Sequence, residues 1–205
     1  MLLDQVKAET VFRKVKHVRE EYRAYTLAPN LNVLSIEDLF KIVERMYGGK
    51  IERFGVPFPA SYTRGMLLRY FGRSIIYVRH QLDDDWKRFT AVKETCHIFL
   101  DEEEDWSTDG VQTIAELQND LSLNGHGQIA KKTTQSEIFA ELAAMELMYP
   151  HECRKSDLEN GEVSLTKIAI QHGMPLAMVE RALSKSYRAI SDSLWETVGP
   201  PSFLV

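Results

Sequence analysis

The stretch Arg88-Phe89-Thr90-Ala91-Val92-Lys93-Glu94-Thr95-Cys96-His97 constrains this chain more than any other. Phe89, Val92, Cys96 and Phe99 recur at steps of three and four, which puts them on one side of a helix from about Asp84 to Leu100. Asp83, Asp84 and Asp85 place negative charge at its N-terminal end, where the helix dipole favours it. Glu94 and His97 form the second half of a His-Glu-x-x-His pattern. In that pattern two imidazoles four residues apart reach one zinc ion, and the glutamate beside the first activates the metal-bound water. The first histidine's position holds Lys93.

A second stretch, Glu137-Ile138-Phe139-Ala140-Glu141, opens a helix read as Ser136 to Tyr149, rich in Ala, Leu, Met and Glu. It supplies the missing pieces of a zinc site: Glu137 as third ligand, and Glu141 as the acid that orients His97. Glu94 takes the general-base position. Lys93 opposes this arrangement. A protonated lysine has no lone pair for a metal. Two like unit charges ~4 Å apart at an effective dielectric of about 20 repel by about 4 kcal/mol, and a dication more. The expectation is a site without metal, in which the Lys93 ammonium pairs with Glu94, Glu137 or Glu141. Zinc is the cofactor only if the site functions. His126 and His151 are the spare histidines that could complete it, and both read more simply as surface or capping residues. Glu-x-x-His alone also describes an exposed ion pair, so its weight rests on context.

The rest of the chain supplies that context. Val11, Val15, Val18, Tyr22 and Tyr25 mark one face of a helix over residues 4–26, and Ala28-Pro29-Asn30 breaks it. Ser35 reads as the N-cap of a helix buried through Leu39, Ile42, Val43 and Met46 and ended by Gly48-Gly49. Gly55, Pro57 and Pro59 mark a loop. Residues 66–70 and 74–78 read as an antiparallel strand pair about Gly72. The acidic run from Asp101 to Asp105 reads as a solvated edge. Residues 108–123 read as a further helix or irregular segment, 124–127 as a loop and 155–162 as a polar linker. Cys96 and Cys153 form no metal-type pair and read as free thiols.

These residues resemble the ImmA/IrrE family of metallopeptidase-like proteins. The family runs Arg-Phe-Thr, two small or apolar residues, then His-Glu-Leu-Gly-His; here Arg88-Phe89-Thr90-Ala91-Val92 precedes Lys93-Glu94-Thr95-Cys96-His97. Its second stretch is similar to Glu137 through Ala140, Ala143-Ala144 and Leu147-Met148-Tyr149-Pro150. The likeness spans about residues 35–190. Lys93 replaces a ligand histidine, Cys96 a glycine, and Tyr149 is additional. The resemblance implies an α+β, zincin-like (gluzincin-type) domain with a short, mostly antiparallel sheet beside the active-site helix. It implies Glu94 as general base and His97 and Glu137 as zinc ligands. It also implies a role beside helix-turn-helix repressors, which active members cleave. The expected division is an N-terminal helix in 1–30, the metallopeptidase-like domain in 31–155, and a helix-turn-helix-like pair with tail in 156–205.

That pair, Leu165 to Ser184 about Gly173 and Pro175, carries Pro175, Leu176, Ala177 and Met178 where a DNA-reading helix needs polar or basic side chains. It reads as packed on the main domain, with Val179 inward and Leu176 and Met178 as a partner surface. The formal net charge of −5 gives no overall basic field for nucleic acid or anionic lipid. No apolar run has the length of a membrane span. The expectation is a cytoplasmic, bacterial-type regulatory protein that is inactive or weak as a hydrolase and binds a protein or peptide. An active peptidase with an unusual ligand set is the first alternative. A DNA-binding regulator acting through residues 165–184 is the second.

Overall fold

Gly48 and Gly49, both at φ 79°, turn the chain out of a helix and into a sheet that flanks the site. The structure, a computed structural model, describes residues 4–26, 33–58, 63–102, 105, 132–161, 164–199 and 201. Its helices are α1 (Gln5–Thr26), α2 (Ile36–Tyr47), α3 (Asp84–Leu100), α4 (Lys132–Met148), α5 (His151–Glu159), α6 (Leu165–His172), α7 (Leu176–Leu183) and α8 (Lys185–Val198). The strands are β1 (Lys50–Val56), β2 (Gly65–Tyr70) and β3 (Arg73–Arg79). The class is therefore α+β. The expectations for Ala28-Pro29-Asn30, Thr108 to Leu123 and the loop with His126 lie outside the described residues.

The sheet has the order β1-β3-β2. β2 and β3 are antiparallel, with Leu67 opposite Ile76, as the turn at Gly72 demands. β1 runs parallel to β3, with Arg53 opposite Ile76. The sheet is thus mixed rather than mostly antiparallel. β1 escapes a sequence reading because it is an edge strand: Lys50, Arg53, Phe54 and Gly55 are all exposed, so it shows no clean alternation. The inward row of β3, Ile76 and Val78, is buried with Val92 and Phe89 of α3 in one core.

α1 belongs to this core. Val11, Phe12, Val15, Val18 and Tyr22 are buried, and Phe12 meets Trp195 of α8 edge-on at 5.0 Å. Tyr25 is exposed instead, with Lys41 and Arg45 each 5.9 Å from its ring. The Tyr22 hydroxyl accepts from the Ser35 amide at 2.8 Å, and the Ser35 side chain caps α2 through the Asp38 amide. α3 and α4 pack closely because α4 presents Ala140, Ala143 and Ala144, all fully buried.

The C-terminal third differs from expectation in two places. Pro150 ends α4 but also caps α5, so residues 155–159 are helix and the boundary drawn between 155 and 156 falls inside it. After the helix pair comes α8, where the sequence predicts only a tail. The pair itself forms as expected about Gly173, a left-handed cap at φ 56°. A Cβ there would stand 2.8 Å from Arg88 Nε, so both conformation and close approach require glycine. Arg88 donates to the carbonyls of Gly173 (3.3 Å) and Leu34 (2.8 Å), tying α3 to the pair and to the start of α2. Val179 is inward, as expected. Met178 is buried as well, so only Leu176 of the expected partner surface is exposed. Among the described residues no helix is long and apolar enough to cross a membrane.

Candidate functional site

Lys93 and His97 lie one turn apart on α3 and both reach Glu137, near the start of α4. The Lys93 ammonium is hydrogen-bonded to Glu137 Oε2 and stands 3.6 Å from Glu94 Oε1. His97 Nε2 lies 3.5 Å from Glu137 Oε1. The side chains of Lys93, Glu94 and His97 are 19%, 6% and 7% exposed, and that of Glu137 is 40% exposed at the mouth. Four of the five expected site residues are therefore together.

Glu141 is the exception. It is ion-paired with Arg181 of α7, and the orienting role expected of it falls to Asp101. Asp101 Oδ2 lies 2.9 Å from His97 Nδ1, and Ser136 Oγ donates to Asp101 Oδ1 at 2.7 Å. Arg69 of β2 lies 3.2 Å from Asp101 Oδ2 and donates to the His97 carbonyl. Asp105 is buried against Lys7 and the half-buried Asp101 has a side chain only 9% exposed, so the start and end of the acidic run are not a solvated edge. The signal for Asp101 was its place four residues after His97, one helical turn on. Ser136 stands immediately before Glu137 and was read only as the first residue of its helix.

His151, the other spare histidine, faces Asp192 of α8 at 3.3 Å.

Neighbouring charges set the direction in which each group's pKa moves. Burial works against the Lys93 ammonium, but Glu94, Glu137 and the more distant Glu141 outweigh it and raise its pKa above the ordinary lysine value. Burial likewise opposes charge on His97, and the hydrogen bond to Asp101 with the nearby Glu137 and Glu94 overcomes it, raising that pKa. Burial pushes Glu137 and Asp101 upward. Lys93 and His97 outweigh it at Glu137, and His97, Ser136 and Arg69 at Asp101, so both end below the ordinary range.

A depressed carboxylate stabilises the fold above its unfolded pKa of about 4, and that stability is lost as pH falls through the lower folded value. Asp101→Asn should flatten the loss of stability in acid. Urea unfolding between about pH 3 and pH 6 measures it; equal slopes for variant and native protein would contradict the assignment.

Gly65, at the start of β2, is pressed against the same helix. A Cβ there would meet Thr90 Cγ2 at 2.4 Å and Glu94 Oε1 at 2.9 Å. Gly65→Ala is expected to destabilise by about 1–3 kcal/mol, as overpacking does, and to displace the Glu94 carboxylate. Thermal melting tests the first effect and a crystal structure of the variant the second.

The donor set does not fit zinc. His97 Nε2 is buried without a hydrogen-bond partner and Glu137 adjoins it, but the third position is a protonated amine already bonded to Glu137. Among the described residues no group of three or more His, Cys, Asp or Glu side chains is placed to hold a metal ion.

Fold and site define a small α+β protein with a half-enclosed ionic centre beneath the edge of a sheet. Compared with known proteins, the chain matches no family model and no curated protein.

Proposed function

We propose that this protein is a metallopeptidase-like, zincin-like domain of the ImmA/IrrE kind in which an ammonium group has taken the metal's place. Its role is regulatory, by binding a protein such as a transcriptional repressor in the cytoplasm rather than by cleaving it. The observation that carries this reading is the Lys93 ammonium, bonded to Glu137 and facing Glu94. It neutralises the carboxylates that a dication would otherwise neutralise, and it supplies no activated water. The cleft keeps a means of holding a peptide, because among the described residues β2 is an edge strand whose outer backbone groups can pair with an extended segment.

One observation favours the active alternative. His97 Nε2 makes no hydrogen bond and lies 3.5 Å from Glu137 Oε1, so two ligand groups would face each other if Lys93 turned outward. Incubation of the purified chain with a quenched-fluorescence peptide library and added zinc separates the readings. The proposal expects cleavage no faster than by Glu94→Gln. Hydrolysis that Glu94→Gln abolishes would establish the active reading. The DNA reading gains no support, since Leu176 and Ala177 lead α7 and Arg181 is engaged by Glu141.

A further inference from the structure

α5 and α8 run past each other in opposite directions. His151 meets Asp192 at 3.3 Å, and three residues on, Arg154 donates to Ser191 at 2.8 Å and lies 5.2 Å from the Tyr187 ring. Beside these helices opens a cavity of about 680 Å³. Small-molecule sites span about 300–1,000 Å³. Arg154 and Trp195 line the cavity and are locked in place by Glu146. Leu158 and Trp195 supply its apolar wall. No residue of the ionic centre between α3 and α4 lines it, and the reading given to that centre does not enter here.

Arg188 is the group that the fold leaves unexplained. It lines the cavity, its Nε is buried without a hydrogen-bond partner, and among the described residues no carboxylate pairs with its guanidinium. A buried donor without an acceptor is costly, and the planar guanidinium edge is a fork that fits a carboxylate. Lys155 of the facing helix stands one turn after His151, as Arg188 stands one turn before Asp192. It also lines the cavity and is unpaired among the described residues. The remaining charges of the lining sort by partner. Arg154 is taken by Glu146 and Glu152 by Arg19, neither acceptor nor donor belonging to the cavity. Asp192 is met by His151, while Glu159 and Glu196 are unpaired among the described residues. Open cations and open carboxylates therefore line one cavity. A bare anion would meet like charge there, and a ligand carrying both signs would not.

We propose that the cavity between α5 and α8 binds a free α-amino acid with an apolar side chain. Its carboxylate accepts from Arg188 and Lys155, its ammonium donates to Asp192, and its side chain lies against Leu158 and Trp195. Arg188 and Asp192 are four residues apart, which separates them by about 6 Å along the helix axis. That spacing suits a carboxylate and an ammonium borne by one carbon, each at hydrogen-bond distance from its partner. A residue inside a peptide chain carries neither charge and fits less well.

The test is calorimetric titration of the full chain with each of the common amino acids. The tightest is then titrated into Arg188→Met and Asp192→Asn, and its N-acetyl and carboxamide derivatives into native protein. The preferred ligand should have an apolar side chain. Its affinity should fall at least about tenfold in either variant and in either derivative, the effect of losing one hydrogen bond to a charged group. Melting temperature and circular dichroism of the unliganded variants should stay as in native protein, which separates a lost contact from a lost fold. No binding at millimolar ligand, a preferred ligand with a polar or charged side chain, or equal binding by either variant or derivative would overturn the proposal. So would acetate or inorganic phosphate binding as tightly as the amino acid, since an anion alone would then suffice.

Discussion

Glu146→Ala should destabilise the protein by about 3–5 kcal/mol, the cost of leaving a buried charge without its partner. Glu146 is fully buried on α4. Its Oε1 accepts from Arg154 Nη2 at 2.6 Å, Tyr187 Oη at 2.7 Å and Ser191 Oγ at 2.8 Å, and its Oε2 accepts from Trp195 Nε1 at 3.0 Å. Arg154 is buried too and donates to the Tyr149 carbonyl. Burial pushes the Glu146 carboxyl upward, and Arg154 with the Tyr187 and Trp195 donors brings it below the ordinary range. Without the carboxylate, a buried guanidinium, a phenol, a hydroxyl and an indole lose their common acceptor. Glu146→Gln keeps an acceptor oxygen but leaves the Arg154 charge uncompensated, so its loss should be smaller yet still exceed 1 kcal/mol. Urea unfolding of both variants measures the effect. Stabilities within about 0.5 kcal/mol of native would show that the centre does not hold α4, α5 and α8 together.

The second large effect is a gain. Lys93→His should give a protein that zinc stabilises, where the native protein is indifferent to it. The new imidazole would stand one turn before His97 and beside Glu137. The hydrogen bond of His97 Nδ1 to Asp101 leaves Nε2 for the metal, the arrangement in which such carboxylates fix a ligand's tautomer. At free zinc about a hundredfold above the dissociation constant, the added stability is about 2.7 kcal/mol. Lys93→Met separates a gained ligand from a lost ammonium, because it removes the charge and offers no nitrogen. Thermal melting of the three proteins with and without zinc is the measurement. A zinc response in native protein equal to that of Lys93→His would mean that the lysine never excluded the metal.

What the amino-acid sequence made legible was local. α3 ends where its apolar spacing ends, Ser35 caps α2, and Gly173 closes the first helix of the C-terminal pair because these signals act within a turn or two. Lys93, Glu94 and His97 were legible because a zinc-type pattern fixes their spacing, and Glu137 because a second helical stretch carries it with Glu141. Asp101 was misread because an acidic run normally faces water, and its partial burial is made tolerable by His97 together with Arg69 and Ser136 from distant parts of the chain. The Glu146 centre was hidden for the same reason. Tyr187, Ser191 and Trp195 recur every fourth residue and could have announced α8, but nothing in that spacing names a carboxylate four helices earlier. β1 was missed because both its faces are partly wet.

The proposed function stands or falls with an ammonium group in the place of a metal ion. Diffraction at the zinc absorption edge, from crystals of native protein grown with zinc, tests it most directly. No anomalous peak is expected between His97 Nε2 and Glu137, with the Lys93 ammonium against the Glu137 carboxylate. A peak coordinated by both residues, with Lys93 swung out to solvent, would contradict it.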